Sequence, residues 1–71
     1  MSYTKETIKQ ILKKMKDEIN RATFIIILND KEVREGKFLS LNKDYIKIKS
    51  INKFIYKIAI SDIANISTII T

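Results

Sequence analysis

The spacing of apolar residues changes period once along this chain, and that change limits the fold more than any other feature. From Thr4 to about Asn20, Ile8, Ile11, Leu12, Met15 and Ile19 recur at intervals of three and four, so they line one face of a helix. Lys5, Lys9, Lys13 and Lys16 take much of the remaining surface. Ser2 or Thr4 supplies an N-cap, and Glu6 in the first turn suits the helix dipole. After Arg21-Ala22-Thr23 the pattern becomes Phe24-Ile25-Ile26-Ile27-Leu28, a β-branched run too short for an independent helix. It reads as a strand covered on both faces for much of its length, and a sheet is the natural dock for the helix stripe.

Asn29-Asp30-Lys31 supplies turn chemistry, because Asn and Asp bond back to their own backbone and tolerate left-handed geometry. Glu32 to Leu41 reads as a second strand broken by Gly36, the only glycine in the chain. A glycine inside a strand marks a bulge, a sharp bend or the close approach of another backbone. Val33 and Glu35 before it, and Phe38, Leu39 and Leu41 after it, do not keep one alternation, as a register-shifting bulge requires. Asn42-Lys43-Asp44 makes the next turn. Tyr45-Ile46-Lys47-Ile48-Lys49 then alternates with period two, isoleucines inward and lysines outward. Ser50-Ile51-Asn52 turns into a fourth strand from Lys53 to Lys57, and a crossing at Ile58 to Ser61 leads to a fifth from Ile63 to about Thr68. The expectation is an α+β fold in one domain spanning residues 1–71. A helix over about residues 4–20 packs on five strongly bent antiparallel strands over about residues 22–68, which prefer a closed small barrel to an open sheet.

A core from 71 residues is near the lower limit of what folds alone, so a staple or a partner is expected. The chain has no cysteine for disulfides and no histidine for an ordinary zinc site, which leaves oligomerisation as the leading candidate. Fourteen Lys and Arg against eight Asp and Glu give a net charge of +6, and polyanions are the natural partners of such a surface. The plainer alternative is that the lysines serve solubility. No N-terminal apolar run has signal-peptide form, and the run from Phe24 to Leu28 is far short of the ~20 residues that cross a bilayer, so a cytoplasmic protein without membrane contact is expected. Without His or Cys, general acid–base and nucleophilic routes narrow sharply. The acids Asp17, Glu18, Asp30, Glu32, Glu35, Asp44 and Asp62 are scattered among lysines, and a single glycine cannot form a phosphate cradle. A non-enzyme without metal or cofactor is the expected class.

Near the end of the chain stands Phe54-Ile55-Tyr56-Lys57-Ile58-Ala59-Ile60-Ser61. Tyr56-Lys57 followed by Ala59-Ile60-Ser61 resembles the Tyr-Lys-His-Ala-Ile-Ser signature of Hfq, the Sm-like RNA chaperone family. Leu28-Asn29, and Gly36 followed by Leu41, match more weakly. The resemblance runs from the N-terminal helix through Ile66, and it implies an Sm-like, SH3-like barrel assembled into a ring. It also implies that uridine-rich single-stranded RNA binds at the pore on the helix side, one base stacking on an aromatic residue from the turn after the second strand. Carried over by position, the signature lysine is Lys57 and the turn residue before the aromatic is Lys43. Either Asp44, by ungapped counting from Gly36, or Tyr45, with one residue inserted, holds the stacking position; Tyr45 is preferred because aspartate has no π face and repels phosphate.

Ile58 takes the pore place of the family's histidine and removes a donor from it. The helix glutamine that reads uracil falls among Ile8, Lys9 and Gln10, and Asn42 joins Lys9 and Gln10 as a further RNA-contact candidate. On the opposite face, Ile27 and Asn29-Asp30-Lys31 replace the aromatic and the Asn-Gly turn that bind adenine tracts. The resemblance further implies that the fourth strand of one subunit pairs with the fifth of the next, placing Ile55, Tyr56, Ile63 and Ile66 at the subunit interface of a homohexamer, with a heptamer as the alternative. The implied role is an RNA chaperone that acts on small regulatory RNA and mRNA in post-transcriptional regulation and stress responses. The competing reading is a small basic barrel that binds DNA or ribosomal RNA as a monomer or dimer.

Overall fold

A computed structural model describes residues 3–70; Ser2 and Thr71 lie outside the described residues. Helix α1 spans Lys5–Lys14 and is capped by Thr4, whose side chain accepts from the Thr7 N–H at 3.2 Å. The Thr4 N–H donates in return to Thr7 Oγ1 at 2.8 Å, a reciprocal box that uses threonine where glutamate is usual. Ile8 and Met15 are buried, and Ile11 and Leu12 pack beside them on the sheet.

The helix ends at Lys14, six residues short of the expected Asn20. Met15 is its C-cap, Glu18 N–H donates to Met15 O at 2.9 Å, and a 3₁₀ turn at Ile19–Arg21 follows. These tighter turns carry Met15 and Ile19 into the same core that a continued helix would have reached. The spacing therefore persists while the backbone bends toward the first strand.

Five antiparallel strands follow: β1 Ala22–Leu28, β2 Val33–Leu41, β3 Tyr45–Lys49, β4 Ile55–Ala59 and β5 Ile63–Ile70. Their order across the sheet is β4-β3-β2-β1-β5. Among the described residues no hydrogen-bonded pairing joins β4 to β5, so both strands are edges of a five-stranded antiparallel sheet that, with the helix, is consistent with a small barrel-like α+β fold. The core holds Ile8, Met15, Ala22, Phe24, Ile26, Ile46, Ile48, Ile58, Ile60 and Ile63.

Strand β2 makes the bend. Its first half pairs with β1, ending at Phe24↔Gly36, and its second half pairs with β3, beginning at Lys37↔Lys49. A Cβ on Gly36 would stand 2.6 Å from the Lys49 carbonyl oxygen, so the glycine answers to close approach of another backbone. The register then shifts between Phe38 and Ser40, leaving Leu39 out of the ladder. A second shift opposite Ile27 and Leu28 skips Ala64 on β5.

Two turns differ from the sequence reading. In the β1–β2 turn Lys31, and not Asn29 or Asp30, takes the left-handed conformation with φ 74°. Asn29 is used elsewhere: its amide side chain donates to Ser61 O at 3.0 Å and its N–H to Asp62 O at 2.8 Å, tying this turn to the short 3₁₀ segment Ile60–Asp62. Strand β4 starts at Ile55 and not at Lys53, because Lys53 closes the preceding turn with φ 69°. A side chain with a Cβ costs roughly 1–2 kcal/mol in that region. Lys53→Gly is therefore expected to raise stability by about 0.5 kcal/mol after glycine's entropy is discounted, read as a higher urea midpoint at unchanged slope. A lower midpoint would contradict the turn geometry.

Candidate nucleic-acid interface

The β2–β3 connection is held by one side chain. Asn42 Oδ1 accepts from both the Asp44 and Tyr45 N–H groups at 2.8 Å, and Asn42 N–H donates to Tyr45 O at 3.0 Å. This fixes Tyr45 as the first residue of β3. The Asp44 carbonyl accepts from Ile60 N–H at 2.9 Å, which sets this turn against the crossing between β4 and β5. Two connections far apart in sequence thus meet at one end of the sheet.

On that end Tyr45 stands opposite Ala59 and Lys47 opposite Lys57, so Tyr45 and Lys57 are diagonal neighbours on the outer face. The Lys57 ammonium lies 4.0 Å from the centroid of the Tyr45 ring. Hydrogen bonding from Lys57, and then from Asn42, holds the Tyr45 phenol below its ordinary value of 10.0. The pair offers a π face and a cation side by side. With the ammonium over one face of the ring, a base can stack on the other, or displace the ammonium toward a phosphate.

Of the two alternatives for the stacking position, the structure sets Tyr45 beside Lys57, while Asp44 is an exposed turn residue whose carbonyl is occupied. Lys43 is exposed at the tip of the same turn. Asn42 is also exposed, but its side-chain oxygen is committed to the turn. Lys9 and Gln10 are exposed on α1, and among the described residues no hydrogen bond or ring contact joins them to Tyr45 or Lys57.

Two of the expected site positions are buried. Ile58 is 5% exposed and pairs with Ile46 on the inward face of β4, so its side chain fills the core and presents nothing to a ligand. Ile63 is 4% exposed in the same core and has no surface for a neighbouring subunit. Of the remaining interface candidates, Ile55 is exposed, while Tyr56 and Ile66 are half-buried. The Tyr56 ring lies 5.5 Å from that of Phe54 and 5.3 Å below the Arg34 guanidinium.

Sequence reasoning missed Lys37 and the cross-strand pairing of the outer-face lysines. Lys37 of β2 stands opposite Lys49 of β3, and Lys47 of β3 opposite Lys57 of β4. The alternation within β3 puts Lys47 and Lys49 on the outer face; only the long-range register sets Lys37 and Lys57 beside them. A groove of about 620 Å³ at the bend of β2 is lined by Arg34, Lys37, Lys49, Ser50, Asn52 and Tyr56, among others.

No protein-family model, no curated protein and no solved structure matches this chain. Among the described residues no helix is long and apolar enough to cross a membrane.

Proposed function

We propose that this protein is an Hfq-like RNA-binding subunit that joins copies of itself in a ring, hexameric or heptameric, and holds uridine-rich single-stranded RNA in the cytoplasm. Its action is to concentrate and align strands so that a small RNA can pair with a message, without covalent chemistry or a cofactor. The observation that carries this reading is the Tyr45–Lys57 pair, 4.0 Å apart at the positions where the family resemblance expects an aromatic platform and its lysine. Stacking is tolerant of sequence and supplies affinity per base, while lysines add a salt-dependent term from released counterions. Repetition of one weak pocket around a ring raises its effective concentration.

Tyr45→Ala and Lys57→Ala are each expected to weaken binding of labelled oligouridine by about tenfold, measured by fluorescence anisotropy at matched salt. Native mass should not change in either. Lys57→Ala should also return the Tyr45 phenol titration toward 10.0, since Lys57 is the main cause of its depression. Affinities equal to the parent for both variants would remove the site.

One observation favours the second reading, a small basic barrel on DNA or ribosomal RNA as a monomer or dimer. The Tyr3 hydroxyl accepts from the Ile66 N–H at 3.2 Å, so the segment before α1 already covers one donor on β5. Pairing of β5 with a second chain must displace this contact or leave that bond out. Sedimentation separates the readings.

A further inference from the structure

Like charges set directly opposite one another weaken an antiparallel pair. The outer face of β2, β3 and β4 nevertheless holds two such pairs, Lys37↔Lys49 and Lys47↔Lys57. The other partners in this register are Ser40 opposite Lys47, Ile55 opposite Lys49 and Ala59 opposite Tyr45, so no carboxylate faces the lysines across the strands. None of the four lysines makes an ion pair among the described residues. Glu35, the nearest acid along β2, pairs with Ile25 of β1 and lines the same groove as Lys37 and Lys49, but among the described residues it makes no ion pair with either.

The four side chains follow a diagonal from the bend of β2, through Lys49 and Lys47, to Lys57 and the ring of Tyr45. Neighbours on this line are separated by about 5 Å across strands and about 7 Å along β3. A linear polyanion that presents one charge at each such step satisfies all four ammonium groups and removes their mutual repulsion. The Tyr45 ring at the end of the line selects among polyanions, because only an unpaired base can expose a face to it.

We propose that this lysine diagonal is the track of the phosphodiester backbone of single-stranded RNA, running from Lys37 across the sheet to the Tyr45–Lys57 pair. The assignment rests on the proposed function and extends its pocket into a path over three strands. Binding is then set by several phosphate contacts as well as by the stacked base.

The test is a Lys47→Gln, Lys49→Gln double variant, which keeps a polar side chain, removes two of the four charges and touches neither Tyr45 nor Lys57. Its melting temperature should equal or exceed that of the parent. The slope of log affinity for oligouridine against log salt should fall by about 1.4, since each phosphate contact on a single strand contributes about 0.7, and affinity at low salt should drop by about tenfold or more. An unchanged slope and affinity, with Lys57→Ala still weakening binding, would overturn the track and leave the pocket standing. Loss of effect in Lys57→Ala as well would overturn both. Tighter binding of a duplex of equal length than of the single strand would also overturn it.

Discussion

Gly36→Ala is expected to lower the free energy of unfolding by about 3 kcal/mol and the melting temperature by roughly 12–24 °C. The reason is not backbone freedom, since Gly36 has no positive φ. It lies where β2 leaves β1 for β3, and an added methyl would be 2.6 Å from the Lys49 carbonyl oxygen and 2.7 Å from its carbon. Both are main-chain atoms, so no flexible side chain can swing aside. Strands β2 and β3 must separate, which loosens Ile48 and the Phe24–Phe38 ring contact at 6.0 Å. A chain of 71 residues has a margin of roughly 4–10 kcal/mol, so the loss is a large share of the whole. Ser40→Ala, at an exposed position beyond the bulge, should move the urea midpoint little. A Gly36→Ala change below about 0.5 kcal/mol would mean that the two backbones are not in contact.

The sequence made some of this geometry legible because local rules act locally. The change of apolar period separated helix from strands. The alternation of Tyr45 to Lys49 placed Ile46 and Ile48 inward, and the lone glycine marked the bend. Errors arose where distant parts of the chain decide. The helix end at Lys14 is not legible because the interval from Met15 to Ile19 fits a helix and a pair of tight turns equally well.

The resemblance implies a pore place for Ile58 and an interface place for Ile63, but a motif position does not say which face of a strand a side chain takes, and both are buried. That depends on register, and register shifts between Phe38 and Ser40 and again opposite Ile27 and Leu28. The lysine diagonal was hidden for the same reason: its members belong to three strands, and only their pairing sets them side by side. Within the site, Asn42 explains why Tyr45 stands at the start of β3, a role that an exposed asparagine in a turn does not announce.

Ile55→Lys on β4 and Ile69→Lys on β5 are each expected to abolish the proposed assembly and leave a particle of one chain, 8.3 kDa, by sedimentation. The exposed apolar side chains support this. Phe54 and Ile55 at the β4 edge are 62% and 55% exposed, and Ile69 and Ile70 at the β5 edge are 50% and 43% exposed. Unpaired edges of this composition invite another chain. Because the two edges are different strands, their union is head-to-tail, and it closes into a ring when the rotation permits. Both substitutions are at exposed positions, so the fold should survive them. Tyr3→Phe should act in the opposite sense, freeing the Ile66 N–H and favouring association at a given concentration. Mixing the two lysine variants gives the sharpest result. The first keeps an intact β5 edge and the second an intact β4 edge, so they can join once and no further. A species of two chains in the mixture, absent from either variant alone, is expected. A parent protein that sediments as one chain with and without oligouridine would eliminate the ring.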